Sequence, residues 1–105
     1  MTDITLLRFK DGAPKGFKIS GHSGYGKSGS DIVCAAVSSA SYLTANTLIE
    51  VMKLKVEAKV SDGFMEIVID ETEKEKARDV LEGFFLHSRE LREQYSKFVK
   101  ISTEV

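Results

Sequence analysis

Val56-Glu57-Ala58-Lys59-Val60-Ser61-Asp62-Gly63-Phe64-Met65-Glu66-Ile67-Val68-Ile69-Asp70 decides the fold. Apolar residues alternate with polar ones on the way in and on the way out, the period of a strand with one covered face. Asp62-Gly63 is a strong two-residue hairpin signal, because its glycine accepts the positive φ that such a turn demands. Counting back from the turn sets Val60 opposite Met65, Ala58 opposite Ile67 and Val56 opposite Ile69. On the other face Lys59 meets Glu66, a favourable cross-strand pair. The segment therefore predicts an antiparallel hairpin with one apolar and one polar face.

The flanks extend this pattern. Downstream, Thr72-Glu73-Lys74-Glu75 reads as a capping box. Ala77, Val80, Leu81, Phe84, Ser88, Leu91 and Tyr95 then form one stripe of a helix to about Gln94, interrupted by Gly83. A last strand is predicted over Phe98 to Ser102. Upstream, Ile32, Val33, Ala36, Val37, Ala40, Leu43, Leu48 and Met52 recur near the helical period and predict a helix from Asp31 to Lys53. Gly29 or Ser30 is its expected cap, with Asp31 in the first turn. Its small residues, Ala35, Ala36, Ser38, Ser39, Ala40 and Ser41, suit close packing on a sheet. Before it, strands over Ile4 to Lys10 and Gly16 to Gly21 flank a turn, Asp11-Gly12-Ala13-Pro14-Lys15, where the sole proline breaks regular pairing. The order is β-β-α-β-β-α-β: an α/β protein of the α+β type, a two-layer, mixed but largely antiparallel sheet with two long helices, in one domain over 1–105.

Composition narrows the function. Hydrophobic content of 42% and charged content of 30% describe an ordinary globular domain. A net charge of −1 gives no field for nucleic acid or an anionic bilayer. No apolar run is expected to span a membrane, and Met1-Thr2-Asp3-Ile4 does not read as a secretion signal. One cysteine and two histidines argue against a metal site, and a lone cysteine fits a reducing cytosol. No cofactor is implied.

The chemistry concentrates in Gly21-His22-Ser23-Gly24-Tyr25-Gly26-Lys27-Ser28-Gly29-Ser30-Asp31-Ile32-Val33-Cys34, which holds four of the eight glycines. A free thiol near pKa 8.5 is only about 3% thiolate at neutral pH. A helix N-terminus and an imidazole both favour the reactive anion. His22 and Cys34 are the one plausible base–nucleophile pair, and amides of the first helical turn offer an oxyanion site. Asp31 is a candidate orienter of His22, with a plain helix-terminal acid as its competing role. Ser38 lies one turn after Cys34, where it tunes the thiol or bonds back to a carbonyl. The competing reading of Cys34 is a small core residue. The glycines at 21, 24, 26 and 29, with Tyr25, favour a segment that reshapes around a bound chain. His87 reads as structural.

The same residues match the phosphate-loop pattern GxxxxGK[ST] over Gly21 to Ser28, a remote alternative of nucleotide binding. Gly29-Ser30-Asp31 are expected to delay the helix, whereas a true phosphate loop enters it at once. The antiparallel hairpin also opposes a parallel nucleotide-binding sheet.

Gly21-His22-Ser23-Gly24-Tyr25, Gly29 and Asp31-Ile32-Val33-Cys34-Ala35-Ala36-Val37-Ser38 resemble the signature of the ribosomal-processing cysteine protease Prp family, over nearly the whole chain. The resemblance implies a cytoplasmic cysteine endopeptidase that removes the N-terminal extension of a bacterial large-subunit ribosomal protein. It places the catalytic pair on His22 and Cys34, with Asp31 and Ser38 in support. It also implies a homodimer and a mobile cover between the two catalytic residues. A non-catalytic, ribosome-associated assembly factor is the alternative.

Overall fold

The computed structural model describes the backbone of residues 1–21 and 28–105, and the side chains of 1–21 and 32–105. Strands β1 (Thr2–Arg8) and β2 (Pro14–Ser20) lead to helix α1 (Ser28–Asn46). Strands β3 (Val56–Ser61) and β4 (Phe64–Ile69) form the hairpin, helix α2 (Lys74–Gln94) follows, and β5 (Val99–Glu104) closes the chain. The sheet order is β3-β4-β2-β1-β5. All neighbours are antiparallel except β1 and β5. This is the mixed, largely antiparallel sheet with two helices that the sequence predicts.

The hairpin register is as counted: Val60 pairs Met65, Ala58 pairs Ile67, Val56 pairs Ile69 and Lys59 pairs Glu66. The Lys59 ammonium lies 3.8 Å from the Glu66 carboxylate. Ile4 and Leu6 of β1, Phe17 of β2 and Ile67 and Ile69 of β4 form the buried face under the helices. The Phe17 ring stacks on Phe84 of α2 at 4.2 Å. The opposite face is more polar, carrying Thr5, Lys18 and Glu66 beside Leu7 and Val68, and on it Lys18 reaches Glu104 at 3.5 Å.

Several local expectations are corrected. Pro14 does not break the pairing; it opens β2 and faces Arg8 across a register shift at Leu7/Arg8, where a missing N–H is tolerated. The Asp11 carboxylate receives the Ala13 N–H at 2.9 Å and the Lys74 ammonium at 2.8 Å. Those bonds hold its pKa below the ordinary value. The capping box over Thr72–Glu75 is not formed. Asp70 accepts from the Thr72 N–H at 3.0 Å and from its hydroxyl, capping a 3₁₀ turn over Glu71–Glu73. Glu75 instead pairs with Arg78 at 2.7 Å. The last strand runs later than expected, to Glu104.

The first helix departs most. It starts at Ser28, so Gly29, Ser30 and Asp31 lie inside it rather than before it. It ends in a π turn, Thr47–Val51, in which the Met52 N–H donates to the Thr47 carbonyl at 2.9 Å. Lys53 follows with φ +58°, the left-handed conformation that stops a helix. The stripe is rotated from the one predicted. Val33, Val37, Ser41, Thr44, Ala45 and Leu48 are buried, whereas Ile32 and Leu43 are 58% and 70% exposed. The small residues Ala35 and Ser39 face outward rather than onto the sheet.

One exclusion is also corrected. By length and composition Ile32–Val51, 20 residues with mean hydropathy 1.5, suffices to cross a bilayer. The physical reason is that no charge falls between Asp31 and Glu50. In the fold the segment lies on the sheet through Val33, Val37, Ala45 and Leu48.

Candidate active site

The helix layer meets the sheet above the end of β2 where that strand stops at Ser20. Val33 and Val37 are the anchors of α1: each is fully or almost fully buried. Cys34 and Ser38, one position on from each, are consequently rotated to the margin and partly exposed. Together with Val37, Ser41 and Tyr42 they form the helix wall of a recess of about 80 Å³. Ile19 and Met65 supply its apolar floor, and Ser61, Gly63 and Phe64 of the β3–β4 hairpin its far rim. Thr2 lines it from β1. The Ser41 hydroxyl donates to the Val37 carbonyl at 2.7 Å, so it lies in the wall with its polarity satisfied inside the helix.

Cys34 is therefore neither sealed in hydrocarbon nor fully exposed. It is the seventh residue of α1. That is one turn deeper than expected, and the positive end of a helix acts mainly within the first turn. Ser38 does share the Cys34 side of the helix, and both line the recess.

Gly21 ends the β2 path with φ +80°. A Cβ there would lie 2.8 Å from the Met1 carbonyl oxygen and 3.5 Å from an Asp3 carboxylate oxygen. Only glycine fits this turn off the sheet. The chain thus leaves β2 beside the recess-lining strand ends, heading into residue 22. His22, Gly24, Tyr25 and Gly26 lie outside the described residues, as does the Asp31 side chain. Gly29, expected in the glycine segment, belongs to the first turn of α1. His87 is on the surface of α2, 3.6 Å from Glu90 and away from the recess.

The recess contains residues that sequence reasoning did not single out: Thr2, Ile19, Tyr42, Phe64 and Met65. They are far apart in the chain: the pairing of Ser20 with Asp3 and Phe64, and of Ile19 with Met65, brings the strand residues together, and Tyr42 joins them from α1. The phosphate-loop alternative loses one objection, since the helix does begin at Ser28. It fails on topology. β2, the strand before the loop, is antiparallel to both its neighbours, whereas a phosphate-loop strand sits in a parallel βαβ unit.

A partly exposed thiol on a helix, at the margin of a recess, is open to a substrate, as a thiol-dependent enzyme requires. The sequence profile described as Cysteine protease Prp matches residues 1–100, and the chain belongs to that family of cysteine proteases. The structure is similar to that of the essential ribosomal processing protease Prp from S. aureus in complex with a substrate peptide. The TM-score is 0.89 at 20% identity, over 99% of this chain and 100% of that one. A second S. aureus Prp structure, with a covalently linked product peptide, aligns at TM-score 0.85 and 21% identity, over 99% and 100% of the two chains. SMU.848 from Streptococcus mutans aligns at TM-score 0.84 and 35% identity, over 99% of each chain. No curated protein matches the chain.

Proposed function

We propose that this protease removes the N-terminal extension of a bacterial large-subunit ribosomal protein, with Cys34 as nucleophile and His22 as its base. The observation that supports this reading is the seat of Cys34: a helix thiol at the rim of a recess with an apolar floor, beside the strand end that leads into residue 22. His22 takes the thiol proton and the thiolate attacks the scissile carbonyl carbon. The tetrahedral intermediate collapses with cleavage of the C–N bond, and the imidazolium gives its proton to the leaving amine. Water, deprotonated by the same imidazole, then releases the acyl group from sulfur and restores the thiol. No metal or cofactor enters the scheme.

Asp31 holds the second ring nitrogen of His22, and Ser38 tunes the thiol from one turn below. Gly21, Gly24, Tyr25 and Gly26 belong to a segment that closes over the bound chain. The enzyme works in the cytoplasm as a homodimer. Its substrate is a protein segment rather than nucleic acid or a membrane. The test is incubation of the pure chain with the unprocessed ribosomal protein, the products being weighed by mass spectrometry. Cleavage that is lost in Cys34→Ala and in His22→Ala is the expected result. Binding without cleavage by the parent chain would refute the protease reading in favour of an assembly factor. Gating by the segment predicts that a substrate peptide changes the alkylation rate of Cys34, and an unchanged rate would remove that element.

A further inference from the structure

Strand β3 is an edge, and its inner face is left uncovered. Its helix-side residues pair with buried residues of β4: Ala58 with Ile67, Val60 with Met65. Ile67 and Met65 are 1% and 6% exposed, yet Val60 is 55% exposed and Ala58 is exposed as well. Among the described residues the core therefore reaches β3 only at Val56, which is partly buried, and stops at β4 beside Ala58 and Val60. No described strand pairs with the outer edge of β3. A strand edge with apolar side chains on one face is a template for another extended chain.

This uncovered face lies beside the candidate active-site recess. Ser61, the residue after Val60, lines it with Cys34, and so does Met65, the partner of Val60. We infer that the substrate's extended segment adds to β3 as a sixth strand. Its main chain pairs with the free edge. Its alternate side chains, small or apolar, lie beside Ala58 and Val60, and the scissile bond reaches Cys34 where β3 ends. This rests on the protease reading and names the groups that select the substrate. A strand advances about 3.3 Å per residue, so the six residues of β3 offer pairing to a segment of about six. The outer face of β3 presents Glu57 and Lys59, which leaves the selection to the inner face.

The experiment uses a synthetic peptide spanning the extension and its cleavage point. The parent enzyme reports cleavage, and the Cys34→Ala chain reports binding by fluorescence anisotropy. N-methylation of one peptide amide at a time is expected to weaken binding at every second position, by about tenfold, as for loss of one strand-ladder hydrogen bond. Val60→Glu is expected to weaken binding about fivefold, with recovery to within about threefold when the peptide carries lysine at the facing position. Val60→Ile, the conservative change, is expected to bind as the parent does. A uniform N-methyl profile would overturn the inference. So would Val60→Glu with unchanged peptide affinity but a smaller particle in sedimentation, which would assign this edge to pairing between two copies. Binding with the period-two profile but no cleavage by the parent enzyme would support the strand addition and refute the protease reading instead.

Discussion

Replacing Gly16 by alanine tests the strand geometry that carries the chain to the site. Gly16 faces Val68 in the β2–β4 ladder. A Cβ built there falls 1.9 Å from the Ile67 carbonyl oxygen, 2.9 Å from its carbon and 3.0 Å from the Val68 Cα. All three are backbone atoms, so no side chain can rotate away. Relief requires the strands to part by about the 1.1 Å that separates 1.9 Å from the 3.0 Å limit of real contacts. That movement breaks about two ladder hydrogen bonds, at roughly 0.5–1.5 kcal/mol each. It also loosens Phe17 and Ile67, which are 0% and 1% exposed, adding roughly 1–3 kcal/mol of the kind seen for overpacked cores. The sum, about 2–6 kcal/mol, is a large share of the 5–15 kcal/mol typical of a domain. At about 4–8 °C per kcal/mol for a chain of this size, the melting temperature should fall by at least about 8 °C. Thermal and urea unfolding followed by circular dichroism measure this. A Gly16→Ala protein that melts within about 3 °C of the parent would refute the close approach of β2 to β4.

Gly83 gives the opposite sign: a Cβ there meets nothing within 4 Å in the middle of α2. Gly83→Ala should therefore stabilise by up to about 1 kcal/mol in the same unfolding assay. Lys53 holds φ +58°. Lys53→Gly should leave stability equal or raise it by up to about 1 kcal/mol, whereas Lys53→Val should lower it, as read from urea midpoints. The Asp70 carboxylate is held below its ordinary pKa, first by the Thr72 hydroxyl and then by the Thr72 N–H. Its contribution is present above about pH 4 and is lost as the pH falls through the lowered value. Asp70→Asn should accordingly flatten the loss of stability between neutral pH and strong acid, measured as melting temperature against pH.

The elements differ in how far their sequence betrays them, and the reasons are physical. The β3–β4 hairpin is legible because two independent constraints agree. The turn fixes the count from Asp62-Gly63, and the period-two alternation then makes any one-residue slip expel Met65, Ile67 and Ile69 from the core. Helix α1 is legible in existence but not in phase. Ser41 and Thr44 are buried because each hydroxyl donates to a carbonyl four residues back, at 2.7 and 2.8 Å. Once that bond is made, the residue packs like a small apolar one. A stripe drawn through apolar residues alone passes over both and takes in Ile32 and Leu43, which face outward. Pro14 escapes the same reasoning because a register shift at Leu7/Arg8 accommodates the missing donor, a feature of pairing rather than of local sequence.

At the site the thiol is legible and its surroundings are not. A single cysteine in a chain with two histidines narrows the nucleophile by chemistry alone. The recess comes from strand ends separated by up to about 60 residues, and no local pattern announces that Ile19 and Met65 share its floor. The helix start matters as much. With α1 beginning at Ser28, Cys34 sits past the first turn, where the backbone's positive end has largely faded. In the proposed mechanism, activation of the sulfur then falls on a side-chain base, and His22 is the one imidazole near it in sequence. His87 is held on the outer surface of α2 beside Glu90. The deeper the thiol lies in its helix, the more the proposed chemistry depends on the chain that leaves β2 at Gly21. At Gly21 a Cβ would lie 2.8 Å from the Met1 carbonyl oxygen, so the proposed role of His22 rests on a turn that only glycine fits.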